Sequence, residues 1–301
     1  MQALIDEVKK HLPRDRESRR IFHGRGRVFP GYQDLVIDAY GGLLFVTLFA
    51  SRAPEWLAEL AEVLLGQFPK VKCIAVQRRN LKLTPVEILY GVWPADPMAH
   101  EAGLNFYLRP LTGQNIGFFI DMAVGRNLVR KTCEGKRVLN LFAYSCSFSV
   151  AAIAGGAQQV VNVDMNRSAL ELGRRNHQLN AQDLRDVSFL PLEIFRSFSR
   201  LNKLGPFDLI ICDPPFAQGK NFTAETHWPK LVSRLETLLT PGGEVFACLN
   251  APQLSTEYLR NIFTRNLPRL TEKHCLYSGE DFPESDPERG LSLQYFVSET
   301  G

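Results

Sequence analysis

The sequence predicts an α/β protein: a doubly wound, mostly parallel, Rossmann-like sheet over residues 98–301, preceded by a smaller α+β domain over residues 1–97. Three observations carry this. From residue 137 onward, short apolar runs rich in Val, Ile and Leu alternate with helical stretches, the pattern of a parallel sheet covered on both faces. Before residue 97 the pattern is one of paired strands around a helix. Between the two stands "PADPMAH" at 94–100, whose two prolines read as a linker or domain edge.

Taken in order, residues 1–12 form a short helix. An arginine-rich leader follows, with Arg14, Arg16, Arg19, Arg20, Arg25 and Arg27 close together and Asp15 and Glu17 offsetting part of the charge. "DLVIDAYGGLLFVTLFA" reads as two strands turning at Gly41-Gly42. In "PEWLAELAEVLLGQF", Trp56, Leu57, Leu60, Val63 and Leu64 recur at helical spacing and form one buried stripe. "VKCIAVQRRN" and "VEILYGVW" complete the small domain as strands. Beyond the linker come a strand in "GLNFYLRPL" and a helix in "MAVGRNLVRKTC". Strands are then expected at 137–142, 159–163, 187–190, 207–212 and 243–248, with helices between most of them.

Composition narrows the class. At 301 residues, 45% hydrophobic and 22% charged, the chain can bury a full core and is not intrinsically disordered. A net charge of +3 is too small to imply a polyanionic partner by itself, so that argument rests on where the charge sits. The six cysteines include no C-x-x-C pair and no Cys/His cluster at zinc spacing, which points to reduced thiols and to neither a disulfide frame nor a metal centre. The N-terminus has no apolar core of signal-peptide length and no run is long enough to span a bilayer, so a cytoplasmic protein without membrane contact is expected.

In a doubly wound sheet, ligands bind beyond the carboxyl ends of the strands, where strand order reverses. The first strand is followed by a tight passage of mostly small residues, Ala143 to Ser147, where backbone and helix amides can approach a ligand. The second ends on Asp164 and Met165; that carboxylate suits the hydroxyls of a ribose, or caps the next helix. The third ends on Glu193, which with Ile194 and Phe195 suits an adenine amine and ring face, or is a solvated helix start. The fourth ends on Asp213, Pro214, Pro215 and Phe216, either a stiff strand cap or a wall for a ligand. A G-x-G-x-x-G fingerprint is absent, which counts against a nicotinamide oxidoreductase.

Taken together, "NIGFFIDMAVGRNLVRK", "VLNLFAYSCSFSVAAIAGGA", "NVDMN" and "CDPPF" resemble the class I S-adenosylmethionine-dependent methyltransferases, specifically the bacterial ribosomal RNA methyltransferases that modify large-subunit RNA at cytosine C5 or guanine N7. The resemblance runs from about residue 30 to the end and implies a seven-stranded methyltransferase sheet, S-adenosyl-L-methionine as cofactor and RNA as partner. It places the ribose on Asp164 with Met165 beside it, adenine at Glu193 and Ile194, and the methionine portion along Ala143, Tyr144 and Ser145. Phe119, Asp121 and Arg126 match fixed points of the family's segment that folds over the cofactor. Ala123 replaces that segment's first arginine, Cys146 stands where most relatives have glycine, and Phe216 follows Pro215 directly where the family reads Pro-Pro-x-Phe.

The resemblance also assigns the chemistry. Phe216 stacks on a base turned out of its helix, and Asp213 or neighbouring carbonyls accept from an amino group. Carbon methylation requires a covalent nucleophile, for which Cys248 at the fifth strand's end is the candidate, although a free Cys is also an ordinary buried residue. Nitrogen methylation leaves Asn250 to orient the base. Arg19, Arg20, Arg25 and Arg27, with Arg78 and Arg79 from "QRRN", form the expected RNA-binding set. A methyltransferase of protein or of a small metabolite, or a non-catalytic binding module of the same fold, are the alternatives. The protein is expected to be a monomer or homodimer.

Overall fold

The computed structural model describes residues 1–12, 16–109, 115–215, 217–218 and 222–298. Arg14 and Phe216 lie outside the described residues. The chain forms two compact units, the first of residues Met1–Asp121 with Gly279–Asp286, the second of Met122–Ser278 with the chain from Pro287 onward.

In the first unit, α1 (Gln2–Lys10) precedes β1 (Arg19–His23), β2 (Leu35–Tyr40) and β3 (Leu43–Leu48); α2 (Pro54–Gln67) then crosses over to β4 (Cys73–Arg78), and β5 (Val86–Gly91) closes the edge. The sheet runs β1-β2-β3-β4-β5. Only β3 and β4 are parallel, because only they are joined by a helix long enough to return the chain to the same end. Leu4 and Val8 of α1, and Leu57, Leu60 and Leu64 of α2, pack on Ile37, Val46 and Ile74 of the sheet. β6 (Met98–Glu101) and β7 (Leu104–Tyr107) form a hairpin. The expected linker at 94–100 therefore ends inside a strand. Pro94 and Pro97 precede that strand, where a missing amide donor costs no ladder bond.

Residues Gly279–Asp286 return to this unit through charge. Asp281 accepts from Arg19 Nε and Nη2, both at 2.7 Å, and meets His11 Nδ1 at 2.7 Å. Glu284 meets His23 Nε2 at 3.2 Å, and Phe282 lies under the Arg20 guanidinium.

The second unit holds α3 (Ala123–Thr132), β8 (Arg137–Leu141), α4 (Ser147–Ala154), β9 (Gln159–Asp164), α5 (Arg167–Leu179), β10 (Val187–Pro191), α6 (Phe198–Leu204) and β11 (Phe207–Cys212). A two-residue ladder of β12 (Ala217–Gln218) with β13 (Phe222–Thr223) leads to α7 (Ala224–Leu235), β14 (Leu239–Leu249), α8 (Thr256–Asn266), β15 (Leu270–Tyr277) and β16 (Ser292–Ser298). The seven-stranded sheet runs β10-β9-β8-β11-β14-β16-β15, parallel except for β16, which is antiparallel to both neighbours. Sequence periodicity marked five of these strands and missed β15 and β16.

Strand alternation divides the core. Leu139, Leu141, Val161, Ile210 and Ala247 face Trp228, Leu231 and Phe263 of α7 and α8, whereas Val138, Val160, Ile211, Phe246 and Cys248 face Val129 of α3 and Phe148 of α4. On the second of these faces a buried polar chain crosses from sheet to helices. Asn140 Nδ2 donates to Asn162 Oδ1 (2.9 Å), Asn162 Nδ2 to Ser149 Oγ (3.0 Å), and Ser149 Oγ meets His177 Nε2 (2.9 Å). Burial lowers the His177 imidazole to about 4, so it is held neutral.

This histidine makes the fold sensitive to acid. An unfolded histidine titrates near its ordinary value of about 6.5. Because the folded value is depressed, its contribution is complete above that pH and is lost as pH falls toward 4. Unfolding midpoints measured across this window should drop on acidification, by an amount on the order of 3 kcal/mol. His177→Asn should flatten the dependence; an equally steep profile in that variant would remove His177 as its source.

Candidate active site

Strand order reverses beside β8, which has β9 on one side and β11 on the other, so the crevice opens at the carboxyl ends of these strands. The chain leaves β8 through a loop in which Phe142, Tyr144 and Cys146 all have positive φ (59°, 44° and 58°). Left-handed backbone costs a residue with a side chain roughly 1–2 kcal/mol, so three in one short loop persist only where the surroundings dictate the path.

Those surroundings are specific hydrogen bonds. The Ala143 amide donates to the Val163 carbonyl (3.0 Å) and the Cys146 amide to the Ala143 carbonyl (2.7 Å). Asp164 Oδ2 accepts the Tyr144 amide at 2.9 Å while Oδ1 accepts the Asn166 amide at 2.7 Å. From α5, Asn176 Nδ2 donates to the Ser145 carbonyl at 2.9 Å. Arg126 of α3, 1% exposed, reaches Ser147 Oγ at 3.5 Å and so places positive charge behind the N-terminus of α4. Burial raises the Asp164 carboxyl above the usual carboxylate range, against the two amides that pull it down.

Cys146 explains how the loop tolerates its missing glycine. A Cβ on Gly173 of α5 would stand 2.3 Å from Cys146 Sγ, so the thiol occupies room that α5 leaves by having no side chain there. Its burial pushes the thiol well above the ordinary cysteine value, which makes it inert filling.

The other expected residues fall around this loop. Met165 leaves an apolar side chain 43% exposed beside Asp164. Glu193 sits in the turn after β10, where its two oxygens accept the Phe195 amide (3.1 Å) and the Arg196 amide (2.9 Å), while Ile194 is buried in the core. The Asp213 amide donates to the Leu141 carbonyl at 3.4 Å, which holds Asp213 directly beside the start of the strained loop. Pro214 is buried and Pro215 exposed. Asn250 is exposed just beyond β14. Cys248 is 1% exposed and packs with Phe148, Phe246 and Leu293 on the face of α3 and α4. Phe119, 39% exposed, and Asp121 belong to the first unit; Asp121 is one of the acidic groups that keep Arg20 charged.

The arginines separate into two sets. Arg19 is held by Asp281 and Glu280, Arg20 by Asp38 (2.7 and 3.1 Å), and Arg78 by Glu87 (2.7 Å). Arg25 and Arg79 instead converge on one ring, with guanidinium carbons 4.3 and 5.6 Å from the Phe49 centroid, and Arg27 is exposed. Sequence reading missed Phe49. It named Phe195 but missed the rings around it: Phe142 lies 5.3 Å from Phe222, and His227 lies 5.3 and 5.5 Å from Phe195 and Phe222. Among the described residues no cluster of His, Cys, Asp and Glu could hold a metal ion, and no helix is long and apolar enough to cross a membrane.

Comparison with known proteins identifies the family. The family model of S-adenosylmethionine-dependent methyltransferases matches residues 19–297. A ribosomal RNA large subunit methyltransferase I of Aeromonas hydrophila is 31% identical over 224 residues, 71% of this chain and 56% of that protein. A ribosomal RNA large subunit methyltransferase of Deinococcus radiodurans is 29% identical over 300 residues, 93% of this chain and 73% of its own length. The chain thus spans little more than half of the Aeromonas relative. A solved candidate methyltransferase complexed with SAH superposes with a TM-score of 0.87 at 23% identity, covering 98% of this chain and 79% of that one, which establishes a shared fold.

The fit between Cys146 and Gly173 is directly testable. Gly173→Ala should destabilise the protein by about 1–3 kcal/mol through overpacking. Adding Cys146→Gly should restore most of it, because the glycine vacates the contested space and also suits the left-handed backbone. Chemical unfolding of the two single variants and the double variant measures both; additive losses would show that the two positions do not share the space.

Proposed function

The chain belongs to the S-adenosylmethionine-dependent methyltransferase family, and from that premise we propose that it methylates a base of ribosomal RNA, in the cytoplasm, with S-adenosylmethionine bound over the strained loop. The observation that carries the reading is the Asp164 clamp. Each of its carboxylate oxygens spends one acceptor site on a backbone amide, which leaves one on each for a ribose hydroxyl. Met165 supplies an apolar cover, Ala143 to Ser145 line the methionine portion, and Arg126 contributes positive charge from behind the loop toward a carboxylate. S-adenosylmethionine brings a methyl group on an already activated sulfonium, so the task left to the protein is alignment and the exclusion of water.

Alignment of the acceptor is assigned to the Asp213-Pro214-Pro215 turn, which the Leu141 carbonyl ties to the loop, together with Phe216 and Asn250. A base nitrogen is the favoured acceptor. Carbon methylation needs a thiol that reaches the base, and Cys248 is enclosed among core side chains. For the RNA, Arg25 and Arg27 are the favoured contacts, since Arg19, Arg20 and Arg78 already serve carboxylates within the first unit.

Asp164→Ala should lower S-adenosylmethionine affinity by about tenfold or more in calorimetry, the equivalent of one to two charge-assisted hydrogen bonds. The ionised carboxylate is the accepting form and burial raises its folded value. Wild-type affinity should therefore decline on acidification, beginning above the ordinary Asp range. Unchanged binding in the variant would remove Asp164 from the site.

Transfer of a labelled methyl group to total RNA, compared with protein and small-molecule fractions, tests the substrate class. Label in RNA is expected, and Cys248→Ala should retain most of it. Label confined to protein or to metabolites would overturn the RNA reading, and abolished transfer in a folded Cys248→Ala protein would overturn the assignment to nitrogen.

A further inference from the structure

Within the second unit, two rungs join α6 to α7. Phe195, in the turn before α6, faces His227 of α7 with ring centroids 5.3 Å apart, and further along the seam Phe198 lies under the Arg234 guanidinium, 5.8 Å from the ring centre. The rings of Phe195 and Phe198 are 6.4 Å apart, so the seam is continuous. Its upper end reaches the crevice, because Phe195 and His227 both meet Phe222, and Phe222 meets Phe142 at the end of β8. Along this seam the charge is of one sign. Residues 195–204 read "FRSFSRLNKL", with Arg196, Arg200 and Lys203 and no acid. On α7, His227, Lys230 and Arg234 recur at i, i+3 and i+7 and so share one face, whereas Glu225, two residues before His227, lies on the opposite side of the helix. Arg196, Arg200, Lys203, Lys230 and Arg234 are all exposed. Among the described residues, the one ion pair these five make is that of Arg196 with Glu193, at 3.9 Å, and the Glu193 oxygens already accept two amides of their own turn.

We propose that this seam is a track for the phosphate backbone of RNA, carrying the strand away from the base held in the crevice. The assignment rests on the RNA reading above and adds to it a second contact surface, on the unit that carries the crevice. The whole chain has a net charge of +3, so five cations on two neighbouring elements are a local excess and not the share of an evenly charged surface. Elsewhere arginines are matched: Arg19 by Asp281, Arg20 by Asp38, Arg78 by Glu87 and Arg260 by Glu272. Cations without such partners, held along a line of rings that ends at the crevice, suit a polyanion that must pass the site. A face that is merely solvated needs neither the alignment nor the absence of acids. Contacts to phosphate carry no sequence information, so the seam positions the strand and leaves the choice of base to the crevice.

The test removes charge and leaves both rungs in place. Arg200→Gln, Lys203→Gln and Lys230→Gln are combined in one variant, and its binding to an in vitro large-subunit rRNA transcript is measured across a salt series. The slope of log affinity against log salt should flatten by about 2, at roughly 0.7 per lost contact with a single strand, and affinity at about 0.1 M salt should fall on the order of tenfold to hundredfold. In methyl transfer to the same transcript, KM for RNA should rise by a similar factor with kcat little changed, since phosphate contacts are held in ground state and transition state alike. The unfolding midpoint and S-adenosylmethionine affinity should match wild type. A control variant carrying Lys9→Gln, Arg265→Gln and Lys273→Gln, at exposed cations of other elements, removes the same charge and should leave the slope nearly as it is. An unchanged slope in the seam variant, or equal flattening in the control, would overturn the track. So would a parallel loss of S-adenosylmethionine affinity, which would assign these cations to the cofactor. The RNA reading fails separately, if wild type transfers no methyl to RNA. The salt series then still decides the seam: a flattened slope supports it, and an unaltered slope or no binding of the transcript overturns it.

Discussion

The hydrogen bond from the Tyr144 amide to Asp164 is the constraint on which the crevice depends. The loop after β8 places three residues with side chains in left-handed backbone, a path that an isolated chain would not hold. Asp164 grips the middle of it from the neighbouring strand, while Val163 holds one side and Asn176 the other. The clamp also fixes where α4 begins, and with it the direction of the helix amides and of the positive charge that Arg126 sets behind them. Because Leu141 both begins this loop and accepts the Asp213 amide, the same constraint reaches the turn on the far side of the switch point. Rigidity here is local and deliberate: the buried Asn140, Asn162, Ser149 and His177 chain stiffens the strands and helices from which the loop departs.

Much of this was legible in the sequence, and the failures have physical causes. The five parallel strands announce themselves because strands buried on both faces must be continuously apolar, as in "FDLIIC" and "QVVNV". β15 does not, since an edge strand reading "LTEKHCLY" keeps alternate positions in solvent. β16 hides Gln294 among its apolar residues and satisfies it through the Thr256 carbonyl, a partner that no local pattern reveals. Asp164 was readable because its spacing after the turn is set by the helix and strand between them. Glu193 was read as a partner for adenine or as a solvated helix start, and local sequence did not show that its two oxygens accept the Phe195 and Arg196 amides of its own turn.

The arginines show most clearly where sequence reading stops. Clustering along the chain reveals charge but not the acid that faces it, and the partner of Arg19 stands 262 residues away. Once Asp281, Asp38 and Glu87 are in place, half of the basic set serves to fasten the first unit. Local sequence likewise could not show that Arg25 and Arg79 share Phe49, or that Cys146 is possible only because residue 173 is glycine. Each of these is a pairing across the fold, and a pairing has no signature until both partners are placed.

The inventory of groups at the strand ends then bears on what chemistry the crevice can support. Five of the six thiols are buried and Cys275 is half-buried, and those of Cys146 and Cys212 are driven further from ionisation by burial. A crevice that relied on covalent attack would need a thiol both exposed and lowered toward neutrality, the reverse of this environment. What the strand ends offer instead is a carboxylate held by amides, a stiff proline turn and aromatic rings. Such groups orient planar ligands and set the direction of hydrogen bonds without entering into bonds themselves. Orientation suffices where the transferred group arrives already activated and the acceptor already carries a lone pair, which is the ground for proposing a ring or amino nitrogen as the acceptor.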